Sequence, residues 1–515
     1  MKPLNLFLIA AIAYLLFFQG LGNSSLWDPD EPRQAIEARE MMERADYIHP
    51  YLNGEPYLEK PPLYPWLIIL TARVSGKLDE WSARLPSAVL ALLALVLTYL
   101  LGRRLVDETA GLLSALVFAI NFQVLANARQ SIMDTAFASF IALTIFLGYT
   151  ALERRSRGLM IVAFLPSALA LLAKGPAGLL IPACVVFIMT VVRREFKRQI
   201  LPLAAGCVVS VAIASIWFIA AGEAYAKEFL LRQNLTRYTN AFDHVESVWY
   251  YFHKIFFNSL PWSIFLPFAL VHAFRRRLWL PLVWFGFIFL FFEFSSSKRA
   301  VYLLPLYPAA ALLVGVYIRE RWSSLLERTW SNWLIFVGGI LITVLPFALY
   351  VVGPMLHRYG PIVQEMRLQV FWSAVLLAAA GIAFLLSVRK KAFAPSLTSL
   401  IFYVFVLGFT YTVVYVPAVD RHFKSPHRIA GEANAIASNA DVYTYGFNSP
   451  GLIYYLGRPV KILRAPGDVA AQGDVVVITN KRQENAKKTF PSLSVRKEVV
   501  YEKEVFTVLT RGHEG

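Results

Sequence analysis

Cysteine is nearly absent: the chain has two in 515 residues, Cys184 and Cys207, each inside an apolar run. Neither a disulfide framework nor a thiolate metal site is therefore expected. Charge is also scarce, at 16% of residues, and acidic residues (34) are outnumbered by lysine and arginine (50). Internal repeats and low-complexity tracts are lacking, and with them the repeated halves common among secondary transporters. What remains is 57% hydrophobic with a mean hydropathy of +0.52, the composition of a multi-span membrane protein. The net charge of +16 would suit nucleic acid, but the basic residues cluster in short loops between apolar runs, as membrane topology requires.

Apolar runs lie near 4–22, 84–101, 109–126, 135–151, 158–173, 176–192, 199–221, 259–273, 278–293, 300–318, 333–352, 370–388 and 396–416, thirteen candidate transmembrane helices. The first is long enough to cross a hydrocarbon core of roughly 30 Å and too long for a signal-peptide core, so it reads as a retained span. "GRRL" (102–105), "ERRSRG" (153–158), "RREFKRQ" (193–199), "RRR" (275–277), "RERW…ER" (319–328) and "VRKK" (388–391) all fall on one side if every run spans. The positive-inside rule makes that side the cytoplasm, with the N-terminus cytoplasmic and the C-terminus outside. The runs within 158–192 are separated only by "AKGPAG", which fits two spans or a re-entrant break.

The other side receives the loops 23–83 and 222–258, "NARQSIMD" (127–134), "KGP" (174–176), "SSSK" (295–298), the loop 353–369 and the tail. In the first of these, Asp30 is predicted as a helix N-cap and Pro32 suits the first turn. Ala35, Ala38 and Met42 share one face of an interfacial amphipathic helix, and Glu37, Arg39 and Glu40 are expected to face water. From 417 the chain turns polar, and strands are predicted at 441–447 and 474–480. The reading is a membrane domain over 1–416 and a small extramembrane α/β domain over 417–515.

The polar residues on that side are unusual for loops: Asp28, Asp30 and Glu31, then Tyr57, Glu59 and Lys60 in "PYLEKPPLYPW". Arg129, Asp134, Lys174, Arg237, His244, Lys298, Arg299 and Tyr302 follow in later loops. Singly, each is explained as an interfacial side chain snorkelling toward water. Their shared side favours a convergent site in which cations hold a lipid-borne phosphate and a carboxylate handles a proton.

"DPDEPRQAIEAREM…YIHPYLNGEPYLEKPPLYPWL" resembles the opening of the GT-C glycosyltransferases that use polyprenyl-phosphate sugars, the protein O-mannosyltransferase superfamily. "RQSIMDT", "LLAKGPAGLL", "NLTRY" and "SSSKRAVYLLPLYP" are similar, in order, to later motifs of the aminoarabinose transferase branch that modifies lipid A, and the resemblance covers roughly 20–310. It implies an all-α polytopic fold of about thirteen transmembrane helices, with external juxtamembrane helices and a periplasmic cavity, in the bacterial inner membrane. Asp30 then matches the acidic catalytic residue of the first loop, with Asp134 and Glu31 completing the catalytic group. Tyr57, Lys60, Arg237, Tyr302 and Lys298 match positions that hold the lipid phosphate. Glu59 and His244 are the candidates for a divalent metal, zinc or magnesium, although this chain carries Asn234 where several relatives carry histidine. The implied partners are a polyprenyl (undecaprenyl) phosphate sugar donor, a lipid or protein acceptor and membrane lipids, without nucleic acid, for a monomer.

The chemistry agrees with inverting direct displacement. The departing group is a phosphate monoester that needs no protonation, so Lys60 and Arg237 suffice to stabilise it. An acceptor hydroxyl needs a base, for which Asp30 is the candidate, whereas an already ionised phosphate acceptor needs only orientation. Three other readings stay open: a protein O-glycosyltransferase, a lipid-linked sugar transporter or flippase, and an envelope-assembly scaffold. Release of polyprenyl phosphate in the presence of acceptor separates an enzyme from the last two.

Overall fold

The computed structural model describes residues 3–239, 244–327, 329–355, 360–424, 426–436, 440–470, 474–501 and 504–511. It divides into two compact units: Met1–Gly20, Leu58–Tyr64 and Leu85–Val414 form the first, and Leu21–Tyr57, Pro65–Arg84 and Tyr415–Gly515 the second.

The first unit is a bundle of apolar helices. Among the described residues, eight helices are long and apolar enough to cross a membrane, and nine if a pair bent by 70°, Glu108–Ala119 and Phe122–Ala128, is one span. Three shorter apolar helices add to these, Pro3–Phe18, Ala177–Val192 and Trp279–Glu293, and a fourth, Leu63–Ser75, belongs mostly to the second unit. At 1.5 Å per residue, the 21 residues of Met133–Glu153 give about 30 Å, one hydrocarbon thickness. Met133–Glu153 and Ala300–Glu327 are each 89% buried and form the centre of the bundle. Ile335–Met355, at 17%, turns its apolar side chains outward, as a lipid-facing helix does. Small residues permit close approach at the centre: a side chain on Gly315 would meet the Ser114 backbone nitrogen at 2.6 Å. The bend is built by Asn121, whose side chain accepts from the Gln123 and Val124 amides and donates to Ser259 Oγ at 2.9 Å.

In the second unit, helix Asp30–Arg44 is followed by a hairpin of β1 (Tyr51–Leu52) and β2 (Glu55–Pro56). Asn53 and Gly54, both at positive φ, make its two-residue turn, the signature of an Asn-Gly type I′ hairpin. β3 (Asp441–Tyr445), β4 (Lys461–Leu463), β5 (Val475–Thr479), β6 (Ser494–Tyr501) and β7 (Glu504–Arg511) form a five-stranded sheet in the order β4-β3-β5-β7-β6. β4, β3 and β5 run parallel, while β7 and β6 close the sheet antiparallel. Both strands expected from the sequence are present as β3 and β5.

The helix of the first loop departs from expectation. It begins at Asp30 itself, preceded by Pro29, so Asp30 is not its cap. Nor do Glu37 and Glu40 face water: Glu37 is fully buried and Glu40 accepts from the Gly54 amide at 2.9 Å. Arg39 donates to the Tyr454 carbonyl at 3.0 Å and lies over that ring. The reason is packing, because Ile36 belongs to one apolar cluster with Ile429, Leu452, Val476, Ile478 and Phe506. A helix covered by a sheet domain presents more than one face to protein, so polar residues that look solvated in the sequence are buried.

Candidate active site

"AKGPAG" ends one helix, Leu165–Lys174, and starts the next, Ala177–Val192. Gly175 sits at φ 105°, a conformation side chains disfavour, and the reversal leaves the Lys174 side chain at a helix terminus. Its ammonium is ion-paired with Asp134, in the first turn of Met133–Glu153, and lies 4.2 Å from the centroid of the Tyr302 ring. Both members of the pair are mostly shielded, with side chains 19% and 15% exposed, which strengthens their attraction relative to a surface pair.

Lys174 opens on a cavity of about 570 Å³, whose lining includes Lys60, Tyr302, Gln233, Asn234 and Tyr238. Phe137, Leu180, Leu230, Leu235, Phe291 and Phe292 supply apolar walls. Lys60 enters through the stiff "KPPLY" segment, which is pinned where buried Tyr64 meets Ser87 Oγ at 2.7 Å. Ser87 in turn donates to the Ile132 carbonyl, at the start of the helix that carries Asp134. Asn234 fits against the backbone of Gly175, where a β-carbon would lie 2.6 Å from its Oδ1, and donates to the Phe229 carbonyl. Tyr238 donates to the Phe291 carbonyl at 2.9 Å. Two lysines among apolar walls suit an amphiphile with an anionic head.

The family of dolichyl-phosphate-mannose-protein mannosyltransferases matches residues 59–218. An uncharacterized protein of Aquifex aeolicus (strain VF5) is 34% identical over 361 residues, 68% of this chain and 70% of that one. The undecaprenyl phosphate-alpha-4-amino-4-deoxy-L-arabinose arabinosyl transferase of Pseudomonas aeruginosa (strain LESB58) is 29% identical over 393 residues, 72% and 70% of the two chains. The crystal structure of ArnT from Cupriavidus metallidurans bound to undecaprenyl phosphate shares the fold, with a TM-score of 0.77 over 99% of this chain and 98% of that one at 24% identity. The chain is a GT-C glycosyltransferase, close to the aminoarabinose transferase branch.

The remaining predicted residues of this transferase have varied surroundings. Lys298 is 4% exposed and its ammonium is 2.9 Å from Glu293, with a longer contact to the Ser247 carbonyl. Arg237 begins the short helix Arg237–Thr239, and its side chain lies outside the described residues. In the second unit, Tyr57 is buried, and Asp30 is 40% exposed with Arg33 at 3.8 Å. Glu31 is committed to Arg84: both side chains are 3% exposed, 2.7 Å apart, and the guanidinium also donates to the Ser24 and Ser25 carbonyls. Glu59 and His244 are exposed, and His244 accepts from the Lys298 amide through its carbonyl. Among the described residues no three His, Cys, Asp or Glu side chains gather as a metal-holding group.

Sequence reading did not pair Lys174 with Asp134, nor Glu31 with Arg84. The signals were a lysine interrupting the apolar run 158–192 and an arginine at the head of the run 84–101. An ionisable residue at such a place requires a partner, but only the fold names it.

Proposed function

We propose that this chain moves a sugar from a polyprenyl (undecaprenyl) phosphate donor to an envelope acceptor such as lipid A, by inverting displacement at the periplasmic face. The cavity carries the reading, because Lys60 and Lys174 share one apolar-walled space with Tyr302. As the glycosidic bond breaks, charge grows on the leaving phosphate, and preorganised cations stabilise that charge without reorganising. Asp134 acts on this step through Lys174, holding the ammonium in place. For a hydroxyl acceptor the family resemblance assigns the base to Asp30; for a phosphate acceptor the same carboxylate orients. The basic loops support a cytoplasmic position for the opposite helix ends, and hence transfer outside.

The match to protein mannosyltransferases favours a second reading, in which the acceptor is a protein hydroxyl. Mass spectrometry of envelope lipids and glycoproteins, from cells with and without the chain, identifies the acceptor that loses a sugar. Catalysis itself is tested with purified protein, a labelled lipid-linked sugar and acceptor, reading release of polyprenyl phosphate. Donor that binds but is never cleaved would replace this proposal with a transporter or scaffold.

A further inference from the structure

A second cavity lies at the other end of the bundle. Tyr302 and Arg321 both lie on the stretch Ala300–Glu327, and at 1.5 Å per residue their separation is about 28 Å along the axis, close to a hydrocarbon thickness. The cavity around Arg321 measures about 560 Å³ and is lined by Arg276, Arg319, Arg321, Glu320, Trp322 and Phe393, with His272 and Ser323 completing it.

Its charges are built into a network. Glu320 receives Arg276 at 2.8 Å and the His272 ring at 2.6 Å. Arg319 is held by Asp107 at 2.7 Å. Arg321 donates through Nε to His272 Nδ1 at 3.2 Å. Because a guanidinium only donates, Nδ1 is the acceptor and Nε2 carries the hydrogen given to Glu320, which fixes the tautomer. The network thus locks the stem side of the Arg321 fork. Among the described residues the two terminal nitrogens of Arg321 have no carboxylate partner, and three guanidinium groups face two carboxylates. The cavity carries a surplus of positive charge around a preformed, planar donor.

The surroundings distinguish the kind of anion. On Leu266–Arg275, the helix that supplies His272, Val271 is 54% exposed and Phe274 65% exposed. Trp322 packs edge-on against Phe393 at 5.4 Å and walls the cavity on the apolar side. A soluble anion has no use for such an aromatic wall, whereas a lipid places its headgroup in a basic recess and its acyl chains against the apolar side chains beside it.

We propose that this recess binds the phosphate of an anionic glycerophospholipid, at the membrane face opposite the glycosyl-transfer cavity. Arg321 supplies the two terminal N–H groups, the Arg276 and Arg319 charges add to the field, and the acyl chains leave past Trp322 and Phe393. Such a lipid joins the helices 266–275, 300–327 and 393–409 at the ends where their basic loops emerge.

The test uses the full chain in nanodiscs of phosphatidylcholine alone or mixed with phosphatidylglycerol, with retained lipid counted by native mass spectrometry and the unfolding temperature measured. The wild type is expected to retain phosphatidylglycerol selectively and to melt higher in the mixed discs. Arg321→Gln should weaken that retention by about tenfold, the scale of one charge-assisted phosphate contact. Ser323→Trp, which obstructs the recess and leaves the arginines in place, covers the case in which Arg321→Gln does not fold. Wild-type selectivity in the folded variants overturns the proposal. So does inorganic phosphate that stabilises the chain equally in phosphatidylcholine discs, because the site would then belong to a soluble anion.

Discussion

Ser449 donates its hydroxyl hydrogen to the carboxylate of Asp28, across 421 residues of sequence. The other Asp28 oxygen accepts from the Gly451 amide at 2.6 Å, so a first-loop carboxylate satisfies the start of helix Pro450–Leu456. Around this contact, Asp420 accepts from Ser25 and from the Trp27 indole, and Asn53 and Val460 exchange two hydrogen bonds. The loop bearing Asp30 is therefore folded against the C-terminal sheet region. Asp28→Ala, which strands the Ser449 hydroxyl and the Gly451 amide, should destabilise the second unit by about 1–3 kcal/mol. Limited proteolysis of the C-terminal region reads the loss, and transfer should fall with it. Unchanged protease resistance would show that the contact is dispensable.

Glu31 and Arg84 form a buried pair whose partners have no solvent to fall back on. Removing one leaves an uncompensated charge, at a cost of about 3–5 kcal/mol, while replacing both by apolar residues of similar size costs much less. Glu31→Gln and Arg84→Met should each depress folded yield and melting temperature, and the pair Glu31→Leu with Arg84→Met should recover part of the loss. If Glu31→Gln instead folds normally and fails only in turnover, its role is catalytic and not structural.

Lys174 and Lys60 are the cavity cations. Lys174→Ala and Lys60→Ala should each reduce kcat by about 100-fold or more, the effect of removing one transition-state donor, with melting temperature nearly unchanged for Lys60→Ala. Asp134→Asn should lower turnover less than Lys174→Ala, because it removes the partner and leaves the cation. Wild-type turnover in both lysine variants would refute the phosphate site.

Gly175 makes room for Asn234. Gly175→Ala places a β-carbon 2.6 Å from the Asn234 side-chain oxygen and 2.9 Å from Phe229, at a φ of 105° that L residues avoid. The strain is about 1–3 kcal/mol. We expect a raised KM for the lipid donor, since Asn234 lines the cavity, and a KM equal to wild type would argue that the turn repacks away from it.

Asp46 accepts from the Ile48 and His49 amides and pairs with the His49 ring at 2.9 Å. Burial opposes its ionised form, but these bonds outweigh burial and hold the carboxyl below its ordinary 3.8. A depressed carboxyl contributes stability that is present above the ordinary value and lost as pH falls through the folded value. Between about pH 5 and pH 3 the wild type should therefore lose melting temperature more steeply than Asp46→Asn. Parallel slopes would acquit Asp46 of any part in acid unfolding.

The apolar runs appear as helices because hydropathy is written residue by residue, and β3 and β5 because short runs of β-branched and aromatic residues advertise a buried strand. Motif order also located Lys60, Lys174 and Tyr302, which the fold then brings to one cavity. The burial of the first-loop helix is not legible locally: Glu37 and Glu40 look solvated in any local window, and only the distant residues around Leu452 and Val476 bury that helix.

The sequence by itself determined a polytopic membrane chain, its basic and acidic loops and the family motifs, since length, hydropathy and residue order need no neighbours in space. Tertiary structure decided which charges are paired and thereby what each can do. Asp134 is 40 residues from Lys174, Glu31 is 53 from Arg84 and Asp28 is 421 from Ser449. A buried charge must be compensated wherever it lies, and helix and sheet packing, not sequence proximity, chooses the partner.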